Sequence, residues 1–261
     1  MTRRGLAISG AIIFKSMDPL PQQMPSPITK PKERFTLASL LIPVAIIIAG
    51  AIIAIAIYEV RIHRTLTAGT GDPSAVRAVT TADHIIGNPS APVTLVEYAD
   101  IDSSYTKQLQ PALEELMAED AAGGKVAWVF REFPLTMVHA NSASDALAAE
   151  CAASISPNSF FQFIDAMQAA APGSEEFDPK GYGTLLDQFG IDQGKFSTCM
   201  TNGTYEKKIA SDYGNAIAAG ATGSPYIVLL VHGQKPTALS GALPYASLKK
   251  IVDDAVAKAG S

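Results

Sequence analysis

Cysteine is scarce in this chain of 261 residues, which has only Cys151 and Cys199 and no Cys-x-x-Cys pair. A dithiol redox motif is therefore missing, and nothing resembles the paired cysteines of a zinc site. With only four histidines in addition, we expect neither a metal ion nor a bound cofactor.

A basic stripe is missing as well. The net charge is −5, and residues 1–34 carry six basic and two acidic side chains, so the rest of the chain carries −9. An acidic body without a basic stripe argues against a nucleic-acid partner.

Charge is absent altogether from residues 35–58, which are rich in Leu, Ile, Ala and Val. This run exceeds the ~18 apolar residues of a spanning helix, and it predicts a single transmembrane signal-anchor. A cleaved signal peptide is the rival interpretation, but its apolar region is shorter, at ~7–15 residues.

Basic residues near the span predict that the N-terminus lies inside and that the C-terminal domain is extracytoplasmic. They are Lys15, Lys30, Lys32 and Arg34 before the span and Arg61, Arg64 and Arg77 after it. Residues 1–34, with five prolines, are expected to be a disordered cytoplasmic tail, with Met1, Met17 or Met24 as the first residue. Residues 59–82 are expected to be a linker.

The stretch 93–107 organises the remaining sequence. Its apolar, β-branched start predicts a buried strand, and hydroxyl and carboxylate side chains then mark a helix start at Ser103-Ser104-Tyr105-Thr106. Further strands are expected at 125–133, 226–231 and 237–239, and a final helix at 244–258. An Ala-rich helical region separates the second and third strands.

Several separate segments resemble the DsbA-like branch of the thioredoxin superfamily. They are residues 83–92, the strand end Glu97-Tyr98-Ala99-Asp100, Arg131-Glu132-Phe133-Pro134-Leu135, His139-Ala140-Asn141, Ala149-Glu150-Cys151-Ala152 and Thr222-Gly223-Ser224-Pro225. The resemblance implies an α/β thioredoxin fold over residues 83–261 with a helical insertion at about 140–219. One departure is Ala140, where the family usually has proline.

The resemblance also implies a thiol–disulfide oxidoreductase, but both catalytic cysteines are replaced, by Ser103 and Thr106. A hydroxyl stays protonated at a helix N-terminus and forms no mixed disulfide, so exchange is excluded at this motif. One interpretation is that the hydroxyls only cap the helix. Another is that Ser103 holds a ligand's thiolate, because Ser-Ser-Tyr-Thr resembles the Ser-x-Tyr-Ser of kappa-class glutathione transferases. A hydrolytic Ser103 would need His139 as its base.

Two further sites follow from the resemblance. Pro225 is implied to be cis and to face Ser103 across a groove, where exposed backbone beside Ser224 can pair with an extended peptide. A purely structural role is the alternative. Glu97 occupies the position of a proton-relaying acid, and without thiols it is expected to be a partly buried, paired carboxylate.

Cys151 and Cys199 match a second disulfide of the family, which lies inside the insertion. We expect a structural bridge, as suits an oxidising compartment. The function expected overall is that of a membrane-anchored, redox-inactive DsbA-like protein that binds an extended peptide or an envelope protein client. A thiol-handling enzyme with a low-molecular-weight thiol as ligand is the alternative.

Overall fold

The computed structural model describes residues 71–120 and 123–260. Five strands form one mixed sheet in the spatial order β1-β3-β2-β4-β5. They are β1 (His84–Gly87), β2 (Val93–Ala99), β3 (Val126–Glu132), β4 (Tyr226–Val231) and β5 (Thr237–Ser240). The two central strands, β2 and β3, run parallel, and the other pairs are antiparallel.

The central strands are buried on both faces, which explains their nearly continuous apolar sequence. Leu95 lies opposite Trp128 in the parallel register, and both belong to the larger hydrophobic core. Val96 lies opposite Val129, and both face the smaller core on the other side of the sheet. This alternation places the ends of β2 and β3 between two packed layers.

Seven helices surround the sheet in the described residues. They are α1 (Ser104–Asp120), α2 (Ser142–Ile155), α3 (Phe160–Ala170), α4 (Tyr182–Phe189), α5 (Gln193–Asn202), α6 (Glu206–Ala219) and α7 (Tyr245–Ala259). Helices α2 to α6 lie between β3 and β4 in sequence and form the predicted insertion. Residues of α1, α2, α3 and α7 fill the larger core, whereas Ala216 and Ala219 of α6 pack in the smaller one. The predicted α/β thioredoxin fold with a helical insertion is thus confirmed.

Residues 71–83 pack against α6 and β3. The Asp72 N–H donates to the Ala218 carbonyl oxygen over 3.1 Å, and the Arg77 N–H donates to Asn215 Oδ1 over 3.0 Å. Arg131 Nε, on β3, donates to Asp83 Oδ1 over 2.8 Å. The second half of the predicted linker is therefore attached to the folded domain.

The predicted tail 1–34, the predicted span 35–58 and residues 59–70 lie outside the described residues. Within 71–120 and 123–260, no helix combines the length and the apolar character needed to cross a bilayer.

Candidate functional site

The Ser103–Thr106 motif lies at the start of α1, after the turn that follows β2. Ser103 directly precedes α1, and its carbonyl oxygen accepts the Lys107 N–H over 3.0 Å. Ser103 is 4% exposed and Thr106 is fully buried, whereas Tyr105 between them is 61% exposed. The hydroxyls of Ser103 and Thr106 thus face the protein, and the aromatic ring faces outward.

Ser224 joins this motif to the loop before β4. The Ser224–Pro225 peptide bond is cis, as the resemblance implies. Ser224 Oγ accepts the Asp100 N–H over 2.7 Å and lies 2.9 Å from Thr106 Oγ1. Ser103 Oγ donates to the Ser224 carbonyl oxygen over 3.3 Å. We call Ser103, Thr106 and Ser224 the serine site.

Asp100 fixes the loop after β3 beside the serine site. Its Oδ2 accepts the Leu135 N–H over 2.7 Å and lies 2.9 Å from His139 Nδ1, while Oδ1 accepts the Asp102 N–H over 2.9 Å. Burial raises the pKa of Asp100, and the hydrogen bonds from these donors oppose that rise.

His139 is therefore oriented by Asp100. In the described residues it forms no hydrogen bond with Ser103, whose hydroxyl donates to Ser224 instead. A serine nucleophile activated by this histidine would require that bond. The hydrolytic arrangement is consequently not assembled here.

Exposed apolar side chains lie in two segments that adjoin the serine site, the loop after β3 and the start of α1. Met137 is 97% exposed and Val138 is 69% exposed, in the loop that Asp100 holds, and Tyr105 projects from the first turn of α1. We call these three residues the apolar rim. Large apolar side chains that are exposed to solvent in this way are a feature of interaction sites.

Glu97 is fully buried rather than partly buried, and no cation in the described part of the chain pairs with it. Its Oε2 accepts the Trp128 indole N–H over 2.8 Å, while Oε1 has no partner within the described residues. Burial raises the pKa of Glu97 to about 8 because the charged form loses its water. The acid is thus predominantly neutral at pH 7.

A second group of acids was not predicted from the sequence. Asp102 and Asp145 are 1% and 0% exposed. Asp102 Oδ1 accepts the Phe177 N–H over 2.9 Å, and Asp145 Oδ1 accepts the Tyr182 hydroxyl. No local signal marks these residues, because 43 positions separate the two acids in the numbered sequence.

A cavity of about 690 Å³ lies elsewhere, between β1 and the helices α2, α3 and α6. Its lining includes His84 and Lys208, which contact Glu150 over 3.1 and 2.8 Å. His84 is half-buried and stacked on Phe160. The serine site does not contribute to this lining.

The two cysteines form the predicted disulfide. Cys151 of α2 and Cys199 of α5 are bonded, with their Cα atoms 5.8 Å apart, so the chain has no free thiol. No group of three or more His, Cys, Asp or Glu side chains in the described part of the chain is arranged to hold a metal ion.

Comparison with known proteins gives a family and several relatives. The family model described as thioredoxin (Thioredoxin_4) matches residues 79–254. A curated protein of Salinispora tropica, named Na(+)/H(+) antiporter NhaA 3, is 32% identical over 153 residues, which are 59% of this chain and 22% of that protein. A Salinispora arenicola protein named NhaA 1 is 31% identical over the same share of each chain. This chain therefore spans about a fifth of the length of these relatives.

Solved structures show the same fold. DsbA2 of Pseudomonas aeruginosa is 26% identical, with a TM-score of 0.57 over 67% of this chain and 95% of that one. The alpha-DsbA1 of Wolbachia pipientis (18% identity, TM-score 0.60) covers 69% of this chain and 94% of its own. The match to BdbD of Bacillus subtilis (19% identity, TM-score 0.60) covers 72% of this chain and 98% of BdbD. The chain belongs to the thioredoxin family, and its fold is that of the DsbA-like proteins.

Proposed function

We propose that this protein binds extended segments of other proteins at the serine site and exchanges no disulfide there. The observation that carries the proposal is the hydroxyl network of Ser103, Thr106 and Ser224, together with the exposed side chains of the apolar rim in the adjoining segments. The site has a DsbA-like arrangement without reactive thiols, and exposed apolar side chains in the adjoining segments remain available to contact a partner.

The serine site is not expected to exchange disulfides, because it has hydroxyl groups and no thiol. Disulfide exchange requires a thiolate that attacks a sulfur, and a hydroxyl, even at a helix N-terminus, neither ionises near pH 7 nor forms a stable bond to that sulfur. The chain's sulfur atoms that could exchange are both committed to the bridge between α2 and α5. Thiol–disulfide activity is therefore not expected of the native chain.

Peptide binding is supported by the groups around Ser224. Its carbonyl oxygen accepts the Ser103 hydroxyl over 3.3 Å, which is long for an O–H···O bond and hence weak. A backbone N–H of an extended peptide can replace that hydroxyl, as in strand addition. The apolar rim would contact side chains of the same peptide.

The proposed location is the outer side of the cytoplasmic membrane, with residues 35–58 as the anchor and the N-terminus inside. Support comes from the uncharged run and the basic residues before it. The role that combines these features is a chaperone-like module acting on envelope proteins.

The test is binding of fluorescently labelled unfolded peptides to the full-length protein. Met137→Ser/Val138→Ser should weaken binding by about tenfold or more, since each buried apolar side chain stabilises a complex by about 1.5–3 kcal/mol. His232→Ser is the matched control, because this exposed residue follows the far end of β4 from Pro225. Equal affinities for all three proteins would contradict the proposal.

A titration with glutathione distinguishes the alternative function, that of a thiol-handling enzyme, from peptide binding. Saturable glutathione binding that Ser103→Ala abolishes, together with no peptide binding, would favour a thiol-handling enzyme. The proposal predicts no saturable binding of glutathione, because the site would recognise the backbone and apolar side chains of an extended peptide rather than a thiolate.

A further inference from the structure

Two buried carboxyl groups meet where the helical insertion contacts the start of α1. Asp102 lies in the turn before α1, and Asp145 lies in the first turn of α2. Each has one oxygen that accepts a hydrogen bond, from the Phe177 N–H and the Tyr182 hydroxyl respectively. The other oxygen of each, Oδ2, is buried and has no donor in the described residues.

The two carboxyl groups act on each other electrostatically, and their hydrogen-bond partners Phe177 and Tyr182 are stacked with ring centroids 5.4 Å apart. Ionised carboxylates only accept hydrogen bonds, so two of them cannot satisfy each other. Adding one proton converts one group into a donor, and two like charges in a buried site avoid ionising together. A single proton, bound to one Oδ2 and donated to the other, therefore accounts for both oxygens that lack a donor.

Among the groups that act electrostatically on the pair, the positive charge can balance one carboxylate but not two. The electrostatic neighbours are Lys107, Asp100 and Tyr182. Lys107, the one cation among them, donates to the carbonyl oxygens of Ala171 and Glu175 over 2.6 and 2.5 Å, and the Glu175 carboxylate also acts on it. Burial, the largest cause, and the neighbouring Asp102 raise the pKa of Asp145 to about 8.

We propose that Asp102 and Asp145 share a single proton. The hydrogen bond that this proton makes between them, which we call the clasp, holds the helical insertion to the turn beside the serine site. Removal of the proton leaves two adjacent carboxylates, breaks their hydrogen bond and loosens the junction. The contacts that depend on it are the Phe177 N–H bond to Asp102 and the Phe177–Tyr182 ring stack, whose centroids are 5.4 Å apart.

The clasp also bears on ligand binding, and this part rests on the proposed function. Asp102 is the residue before Ser103, so loosening of the turn displaces the hydroxyl that contacts Ser224. Peptide affinity should then fall as the shared proton is lost.

The direct test is a carboxyl carbon-13 titration of the full-length protein labelled at aspartate, with signals assigned by Asp102→Asn and Asp145→Asn. The clasp predicts that the pair releases a proton far above the ordinary Asp range, which is near 3.9. Titration of both carboxyls near pH 4 in the wild-type protein would overturn it, and this outcome does not require either variant to fold well.

Hydrogen exchange of the Phe177 amide tests the coupling. In the wild type its protection should fall by up to about tenfold per pH unit as the proton is lost, as linkage to one proton requires. In Asp145→Asn the amide N–H replaces the shared proton, so protection should stay constant. Asp165→Asn, which removes a half-buried acid bonded to Gln110, should behave like the wild type.

Parallel pH profiles of Phe177 protection in the wild type and Asp145→Asn would refute the coupling. If the carboxyl titration succeeds while peptides fail to bind at every pH, the clasp stands and the proposed function fails. The two claims are thus separately decided.

Discussion

Single side chains determine the chemistry of this site. Hydroxyl oxygens stand where the resemblance to the DsbA-like proteins implies cysteine sulfurs, and Ser103 and Thr106 act as hydrogen-bonding groups. Ser224 connects them, because its hydroxyl meets Thr106 and its carbonyl meets Ser103. The resemblance of the sequence to the DsbA-like proteins suggested that these segments face each other. It did not indicate the hydroxyl network, since the direction of a hydroxyl depends on neighbours that are distant in sequence.

Replacing Ser224 by alanine should destabilise the fold. The buried Asp100 N–H would lose its acceptor and Thr106 Oγ1 its partner, and an unsatisfied buried polar group costs about 1–3 kcal/mol. Urea denaturation gives the loss in unfolding free energy. Ser224→Thr keeps the hydroxyl and serves as the control. Equal losses in the two variants would show that the hydroxyl is not the stabilising group.

The secondary-structure elements differ in how visible they are in the sequence. Strands β2, β3 and β4 were predictable because buried central strands carry long apolar runs. Strand β1 was not, since it has four residues, lies at the sheet edge and is followed by the turn residues Gly87, Asn88 and Pro89. The attachment of residues 71–83 was hidden for a related reason. Its main contacts are polar pairs such as Asp83 with Arg131, and these leave no periodic pattern.

Reduction of the disulfide should weaken the helical insertion, because the bridge joins α2 to α5 across 48 residues. Closing a loop of this length stabilises the folded state by roughly 4 kcal/mol in the chain-entropy model. Denaturant unfolding with and without a reductant measures the effect. The double variant Cys151→Ala/Cys199→Ala should not respond to reductant. An unchanged midpoint in the reduced wild type would contradict a structural role.

For the molecule as a whole, the least predictable property is its set of buried acids. Glu97 was recognised because the family places an acid there. Glu132 and Asp145 gave no signal, because burial of a carboxyl depends on how the insertion packs over the sheet. Burial raises the pKa of Glu132, with the Glu150 charge adding to the effect. The fold thus contains several acids whose pKa values burial raises.

These acids predict that the domain loses stability as the pH rises. A group such as Glu97, whose pKa is near 8 in the fold and near 4.5 when unfolded, binds its proton more tightly in the folded state. Its contribution therefore decreases from about pH 4.5 to 8, by up to about 1.4 kcal/mol per pH unit. Burial alone would raise the pKa values of Asp83 and Glu150, but hydrogen bonds and nearby positive charges, including Arg131 for Asp83 and Lys208 for Glu150, together lower them. These two acids therefore destabilise the fold only in acid.

Urea unfolding at pH 5, 7 and 9 measures this slope. Glu97→Gln should flatten it, because glutamine does not titrate, whereas Glu115→Gln, at an exposed position on α1, should leave it unchanged. Stability that increases steadily from pH 5 to 9 would show that these acids are ionised in the fold.

The central claim is that a DsbA-like scaffold is retained here without dithiol exchange. Insulin-disulfide reduction by the full-length protein, with wild type and Ser103→Cys/Thr106→Cys compared side by side, tests it most directly. We predict no activity for the wild type and clear activity for the double variant, since the variant restores both thiols at the start of α1. Activity in the wild type would contradict the claim, because Cys151 and Cys199 would then have to perform the exchange.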